Sequence, residues 1–227
     1  MIRGLRRDPR GRLCLHGPSG TGKSAFGAHL ARVLQRPLLI KRASDLLNAY
    51  VGGSEKNLAA MFRQASTDGA LLLLDEADSF LRDRQLSRAG WEITQVNELL
   101  TQLESFDGLF VASTNLLETI DMAALRRFDV KIHFDYLRPE QAWTLFRETL
   151  RQAGGRLTQP ALWKTRLAGL DRLTPSDFVN QMARQRFATA RLTPQTLFDG
   201  LIVEAALKAR GSIKSSIKRS IGFGAEF

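Results

Sequence analysis

Residues 17–24 match the phosphate-loop pattern G-x-x-x-x-G-K-[ST] without a gap. A short apolar run of strand type, residues 13–16, precedes them, and Ala25 to Leu34 reads as a helix, which is the strand-loop-helix context that the pattern requires. Glycines in such a loop let successive backbone N–H groups surround phosphate oxygens at the positive end of the following helix. The segment therefore predicts nucleotide binding. The candidate phosphate-binding residues are Gly17, Pro18, Ser19, Gly20, Thr21, Gly22, Lys23 and Ser24.

A second group of polar residues follows a buried strand. The apolar run 70–74 has the length of a buried parallel strand and stops at Asp75-Glu76. Carboxylates at that end of a strand belong at the ligand edge of an open α/β sheet. Lys23 is expected to reach the β and γ phosphates, Ser24 and Asp75 to hold Mg²⁺, and Glu76 to activate the attacking water. The alternative is an acidic loop after a core strand.

Strand and helix patterns alternate over the first part of the chain, which predicts a parallel sheet layered between helices with right-handed crossovers. The predicted strands are 13–16, 38–40, 70–74, 109–113 and 130–134. Residues 1–12 carry no apolar period and are expected to lead into the first strand.

After Pro139 the strand signals disappear and an all-helical domain is predicted. Thr174-Pro175 and Thr193-Pro194 are typical helix starts, and Phe178 and Val179 are expected on a buried helical face. The predicted divisions are a large α/β domain at 1–137, a helical lid at 138–210 and a basic tail at 211–227.

The composition limits the classes of protein to which the chain can belong. No run of eighteen apolar residues and no secretory leader is present, so the chain is expected to be cytoplasmic and without a membrane partner. Its single cysteine, Cys14, excludes an internal disulfide and a cysteine metal cluster. The net charge of +10 is spread over the chain, with one compact group at 214–219. A solvated tail is favoured there, and an electrostatic contribution to a polyanionic partner stays open.

With these motifs in place, the chain resembles the AAA ATPase family of the AAA+ superfamily, from about Gly11 to the last helix. Residues 17–24 match its Walker A motif, 71–76 its Walker B motif, and Asn115 its first sensor, which positions water against the γ-phosphate. The resemblance implies a phosphate-loop NTPase α/β/α sandwich with strand order 5-1-4-3-2, a helical lid, and ATP and Mg²⁺ as cofactors. Asn115 could instead cap the following turn.

Residues 121–129 are similar to the family segment that supplies arginine fingers to a neighbouring subunit. The resemblance implies that Arg126 and Arg127 reach a neighbour's γ-phosphate, so that the working unit is a homo-oligomeric ring, by family analogy a hexamer. Without the resemblance, two adjacent arginines are more often surface charge.

Tyr50, Val51 and Gly52 fall where the family places its first pore loop, which grips a threaded polypeptide. An aromatic side chain can pack against many sequences, which suits an unselective translocase. The alternative is a tyrosine that packs on its own domain. Residues 81–91 would hold a second pore loop.

Thr174 to Phe178 sit where many relatives carry Ser-Gly-Ala-Asp-Leu against the adenosine, which makes Ser176 a candidate nucleotide contact. We find no lid arginine that matches a second sensor. Relatives normally have a longer segment before the first strand, which forms part of the adenine pocket, and the chain is therefore interpreted as an ATPase module.

The leading functional hypothesis is an ATP-driven ring that remodels or threads a protein or peptide substrate. A nucleic-acid-stimulated motor or loader is the alternative that the basic charge favours, and stimulation by DNA or RNA would distinguish it. A scaffold that binds ATP without hydrolysing it is the third. The residues that argue against it are the intact Asp75, Glu76, Asn115, Arg126 and Arg127.

Overall fold

The structure is a computed structural model that describes residues 1–48, 50, 52–82, 90–187 and 190–220, without the side chains of residues 79, 91, 92 and 210–220. It divides into two compact units, Met1–Phe134 and Asp135–Phe227.

The first unit is built on one sheet of five parallel strands in the order β2-β3-β4-β1-β5. Read from the other edge, this is the order 5-1-4-3-2, so the predicted parallel α/β sheet and its strand order are confirmed. The strands are β1 (Gly11–His16), β2 (Leu38–Arg42), β3 (Leu71–Asp75), β4 (Leu109–Thr114) and β5 (Val130–His133).

Seven α-helices lie in the described part of this unit, and those after β1 lie between successive strands. They are α1 (Ile2–Arg7), α2 (Lys23–Val33), α3 (Ala43–Leu46), α4 (Gly53–Asp68), α5 (Asp78–Leu81), α6 (Gly90–Ser105) and α7 (Met122–Arg126). Residues 1–12 lead into β1 as expected, and part of this segment forms the short helix α1, which the sequence did not predict. None of its six residues is fully buried, and only Ile2 and Leu5 pack partly against the core, so the segment shows little apolar period that could reveal the helix.

Both faces of the sheet are covered, which explains why the four leucines of β3 are all buried. Leu72 and Leu74 pack in the core with α4 and α6, whereas Leu71 and Leu73 pack on the opposite face with Leu30 of α2. Each fully buried leucine stabilises the fold by about 1.5–3 kcal/mol relative to an exposed one. This core holds the carboxyl ends of β1, β3 and β4 side by side.

The second unit contains four helices in its described part. They are α8 (Pro139–Gln152), α9 (Pro160–Ala168), α10 (Pro175–Gln185) and α11 (Pro194–Ser220). The predicted helix starts at Pro175 and Pro194 are confirmed. Thr174 caps α10, where the Asp177 carboxylate accepts the Thr174 N–H at 2.7 Å and pairs with the Lys208 ammonium at 2.5 Å.

Two details of this unit differ from the sequence pattern. Phe178 is buried, but Val179 is 65 % exposed, so its expected inward position was wrong. The helix α11 also continues past residue 210, where the tail was expected to begin. No helix among the described residues is both long and apolar enough to cross a membrane.

Candidate active site

The loop between β1 and α2 is shaped by glycines at its two ends. Gly17 has a φ of 134°, and a Cβ added there would lie 1.9 Å from the carbonyl oxygen of Phe134, so only glycine fits where the ends of β1 and β5 converge. Gly22 has a φ of 96° and caps the start of α2. The chain therefore wraps tightly into the amino end of a helix, which is a favourable site for anions.

Lys23 places its ammonium group inside this loop. Its Nζ donates hydrogen bonds to the carbonyl oxygens of Gly17 and Pro18, each at 2.8 Å, and to Oδ1 of Asn115 at 2.7 Å. Burial lowers the pKa of Lys23, and the carboxylates of Asp75 and Asp78 oppose that shift. The structure thus brings the predicted phosphate-binding lysine into contact with the predicted sensor asparagine.

Ser24 and Asp75 meet on the other side of the loop. The Ser24 hydroxyl donates to Oδ2 of Asp75 at 2.7 Å, which joins the first turn of α2 to the end of β3. Mg²⁺ prefers oxygen ligands and is commonly held by one or two carboxylates together with substrate phosphates. A hydroxyl and a carboxylate in direct contact beside a phosphate loop therefore fit this ion.

Glu76 stands in a strained backbone conformation next to Asp75. Its φ is 55°, which is in the left-handed region that non-glycine residues avoid and costs about 1–3 kcal/mol. The Glu76 N–H donates to Oδ1 of Asp75 at 3.1 Å and to Oγ of Ser113 at 3.4 Å. Its side chain is exposed at the loop, where a carboxylate can accept a proton from water. We call Lys23, Ser24, Asp75, Glu76 and Asn115 the phosphate edge.

Arg126 and Arg127 differ in their surroundings although they are adjacent. The Arg127 guanidinium donates to Glu104 Oε1 through Nε at 2.9 Å and Nη2 at 2.7 Å, and to the Ala123 carbonyl at 3.3 Å. Arg126 is exposed, and within the described residues its side chain has no hydrogen-bonding or ion-pair partner. Arg126 is therefore the more available of the two for a contact with another molecule.

Tyr50 lies shortly before α4. Its N–H donates to Oδ1 of Asn48 at 3.0 Å, its carbonyl accepts from the Gly53 N–H at 3.0 Å, and the residue is 83 % exposed. Gly52 has a φ of 78° and caps the helix. Val51 and most of the predicted second pore loop, residues 83–89, lie outside the described residues.

Ser176 lies in the first turn of α10, in the second unit, between the capping residue Thr174 and the buried Asp177. Its predicted contact with adenosine stays a prediction.

The sequence patterns did not reveal two features beside the phosphate loop. The rings of His16 and His133 stack with centroids 5.0 Å apart at the ends of β1 and β5. Burial lowers the pKa of His16, and the nearby His133 and Lys23 lower it further. The other feature is Ser113, a buried hydroxyl on β4 that touches the Walker B residues. The strand order could have revealed both, since it makes β1 the neighbour of β5 and β3 the neighbour of β4.

A phosphate loop with a buried lysine, a hydroxyl-carboxylate pair and an acidic strand end on this sheet defines a phosphate-loop nucleoside triphosphatase. The family model for the ATPase family associated with various cellular activities (AAA) matches residues 13–136, which is more than half of the chain. The chain belongs to this family, and nucleotide binding and ATP hydrolysis are its activities.

Two curated relatives illustrate the similarity. The ATP-dependent zinc metalloprotease FtsH of Ureaplasma parvum serovar 3 is 34% identical over 145 residues, which cover 60% of this chain and 20% of the relative. An AAA ATPase forming ring-shaped complexes from Bifidobacterium adolescentis is 34% identical over 163 residues, covering 63% of this chain and 32% of the relative. The chain thus spans a third or less of the length of each.

Among solved structures, the crystal structure of the FIGL-1 AAA domain in complex with ADP has a similar fold. The two superpose with a TM-score of 0.66 at 22% identity, covering 92% of this chain and 79% of the other.

Proposed function

We propose that the chain is the ATPase module of a homo-oligomeric ring, by family analogy a hexamer, that uses ATP hydrolysis to remodel, thread or disassemble protein substrates. The observation that carries this proposal is Tyr50, which is 83 % exposed although its backbone N–H is bonded to Asn48. An aromatic side chain that is held outward, away from its own domain, suits contact with an unfolded polypeptide. The name of the Ureaplasma relative, an ATP-dependent metalloprotease, agrees with a protein substrate.

The hydrolytic step follows from the contacts at the phosphate edge. Lys23 would exchange its loop carbonyls for β- and γ-phosphate oxygens, while Ser24 and Asp75 would hold Mg²⁺, which neutralises phosphate charge when bound. Glu76 accepts a proton from water as the water oxygen bonds to the γ-phosphorus and the bond to the bridging oxygen breaks, giving ADP and phosphate. Asn115, held near Lys23, orients that water.

A ring is supported by the position of Arg126. A guanidinium aimed at the γ-phosphate stabilises the charge of the transition state, and Arg126 is exposed where Arg127 is engaged by Glu104. We assign the contact with the neighbouring subunit first to Arg126, with Arg127 as the other candidate. The Bifidobacterium relative is named for its ring-shaped complexes.

Further assignments complete the proposal. Ser176 contacts the adenosine, and Tyr50, Val51 and Gly52 form the substrate pore. The large domain, lid and tail divide at 137/138 and 210/211, and the protein acts in the cytoplasm.

The experiment that tests the proposal compares Tyr50→Ala with Tyr50→Phe. The substrate is a fluorescent protein with an unstructured peptide tail, and both its ATP-dependent unfolding and basal ATPase activity are measured. We expect Tyr50→Ala to keep basal turnover and to lose unfolding, whereas Tyr50→Phe keeps both because the ring remains. Normal unfolding by Tyr50→Ala would remove this residue from the pore.

A nucleic-acid motor remains the second candidate because one groove of the first unit is arginine-rich. This groove, of about 590 Å³, lies at the amino ends of β1, β3 and β4 and includes Arg7, Arg10 and Arg36. Arg10 is paired with Asp8 and Asp107, which reduces the positive charge there. Stimulation of the ATPase by DNA or RNA at physiological salt would favour this candidate over a protein remodeller.

A further inference from the structure

Ser113 is a buried polar residue near the carboxyl end of β4, and its position brings it into the active site. The parallel register pairs Leu74 of β3 with Ala112 of β4, so the next residues, Asp75 and Ser113, are neighbours at the ends of the two strands. Ser113 is 2 % exposed. A buried hydroxyl needs a hydrogen-bond partner, and this one finds its partners among the Walker B residues.

The two oxygens of the Asp75 carboxylate accept hydrogen bonds from different donors. The Ser113 hydroxyl donates to Oδ1, which also accepts the Glu76 N–H, while Oδ2 accepts the Ser24 hydroxyl. One oxygen is thus fixed by β4 and the other is directed at the phosphate loop. With Oδ1 held in this way, the carboxylate cannot rotate without breaking the bond to Ser113.

Ser113 also stabilises the strained backbone at Glu76. The Glu76 N–H lies 3.4 Å from the Ser113 hydroxyl, and the next residue, Ala77, donates its N–H to the Ser113 carbonyl at 2.9 Å. A left-handed conformation at a non-glycine residue persists only where the surroundings hold it, and Ser113 supplies two of the contacts that do so. Because the Ala77 bond uses the Ser113 backbone, changing the side chain should leave that bond in place.

We propose that Ser113 is a positioning residue for hydrolysis, whose hydroxyl orients the Asp75 carboxylate toward the Mg²⁺ side of the loop and holds Glu76 in its left-handed conformation. The inference rests on the proposed roles of Ser24, Asp75 and Glu76. Residues that hydrogen-bond to a ligating carboxylate typically change metal affinity or activity by about 10–100-fold when they are removed.

The test measures metal-dependent nucleotide binding, which does not require turnover. Adenylyl imidodiphosphate is titrated by calorimetry into wild-type protein and Ser113→Ala, once with Mg²⁺ and once with EDTA. We expect the tightening that Mg²⁺ produces to fall by about tenfold in Ser113→Ala, with affinity in EDTA almost unchanged. The value of kcat should fall by at least a similar factor, while KM for ATP changes less.

Three further variants make the result specific. Ser105→Ala removes an exposed hydroxyl of α6 that bonds only its own helix, and it should behave as wild type. Ser113→Cys keeps the volume of the side chain but replaces the hydroxyl by a weak donor, so it should share the loss even if Ser113→Ala does not fold. Asp75→Asn should lose the Mg²⁺ effect altogether.

The outcomes separate this inference from the proposed site. If wild type and Asp75→Asn show the same Mg²⁺ dependence, the proposed metal ligands are wrong. If those two differ as expected but Ser113→Ala and Ser113→Cys retain wild-type tightening and kcat, Ser113 has no positioning role. An equal loss of affinity in Mg²⁺ and in EDTA would show a general structural role instead.

Discussion

At the phosphate edge, the functional side chains bond to one another and to the phosphate loop. Lys23 donates to Asn115 and to two loop carbonyls, and Ser24 donates to Asp75, so all four hydrogen bonds lie within one chain. Tyr50 and Arg126, in the same unit, are exposed, and their side chains face solvent. The difference separates chemistry that one subunit can organise from chemistry that would require a second molecule. The predictions below test where that division falls.

The largest effect is expected from the division between Arg126 and Arg127. In a ring, Arg126→Ala should lower turnover by about 10³–10⁵-fold, because an arginine finger supplies a factor of this size. Arg127→Ala should lower turnover much less and reduce the free energy of unfolding by about 0.2–1 kcal/mol, since its ion pair with Glu104 is largely solvent-exposed. Steady-state ATPase assays of assembled protein, together with denaturant unfolding, measure both. A greater loss of turnover in Arg127→Ala would reverse the assignment.

A slightly smaller effect is expected at Glu76. Glu76→Gln keeps the shape of the side chain but cannot accept the proton from water, so kcat should fall by about 10²–10⁴-fold. Binding of ATP should stay within about threefold of wild type, because Lys23 and the loop are unchanged. Single-turnover assays and equilibrium binding provide the two measurements, with Asp68→Asn, at the exposed end of α4, as the matched control. Parallel losses of binding and turnover would mean that Glu76 holds the nucleotide instead of activating water.

The smallest effect concerns the pH dependence of stability through His16. Burial is the largest cause that lowers the pKa of His16 in the folded protein, so the unfolded chain takes up the proton first as the pH falls. The contribution of His16 to the free energy of unfolding is therefore fully present when the pH is above the pKa of this residue in the unfolded chain. It decreases as the pH falls from about 7.5 to 5.5. Over that pH range, the Tm of His16→Gln should drop less than the Tm of wild type, by a few degrees at most. Thermal unfolding at several pH values tests this, with the exposed His29→Gln as control, and an identical pH slope in His16→Gln and wild type would exclude the contribution.

The contrast between the two regions also shows what the sequence could predict. The run of four leucines in β3 indicated a buried parallel strand, and the loop spacing indicated the nucleotide site, because both signals are local and strong. A parallel α/β sheet with a nucleotide site followed from them, whereas the strand order and the choice of Asn115 came from the resemblance to the family, and the contact between Lys23 and Asn115 is a finding of the structure.

Other features depend on neighbours that are distant in the sequence. Ser113 gave no local signal, because its partners Glu76 and Asp75 lie 37 and 38 residues away at the end of β3, and only the strand order brings them together. Arg127 differs from Arg126 because its guanidinium is bonded to Glu104, which lies 23 residues before Arg127 in the sequence. The inward placement of Val179 was wrong because the buried face of α10 includes the polar residues Asp177 and Gln181 beside Phe178, so the apolar pattern alone gave the wrong direction for the face.

The measurement that tests the central claim most directly mixes two inactive proteins, Glu76→Gln and Arg126→Ala. The claim is that each phosphate edge is completed by the arginine of a neighbouring subunit. A mixed ring would contain sites in which the intact Glu76 of one subunit faces the intact Arg126 of the other, so we predict partial recovery of ATPase activity that depends on the mixing ratio. Co-purification through two different tags shows that mixed assemblies form. If they form and no ratio restores activity, the site is not shared between subunits.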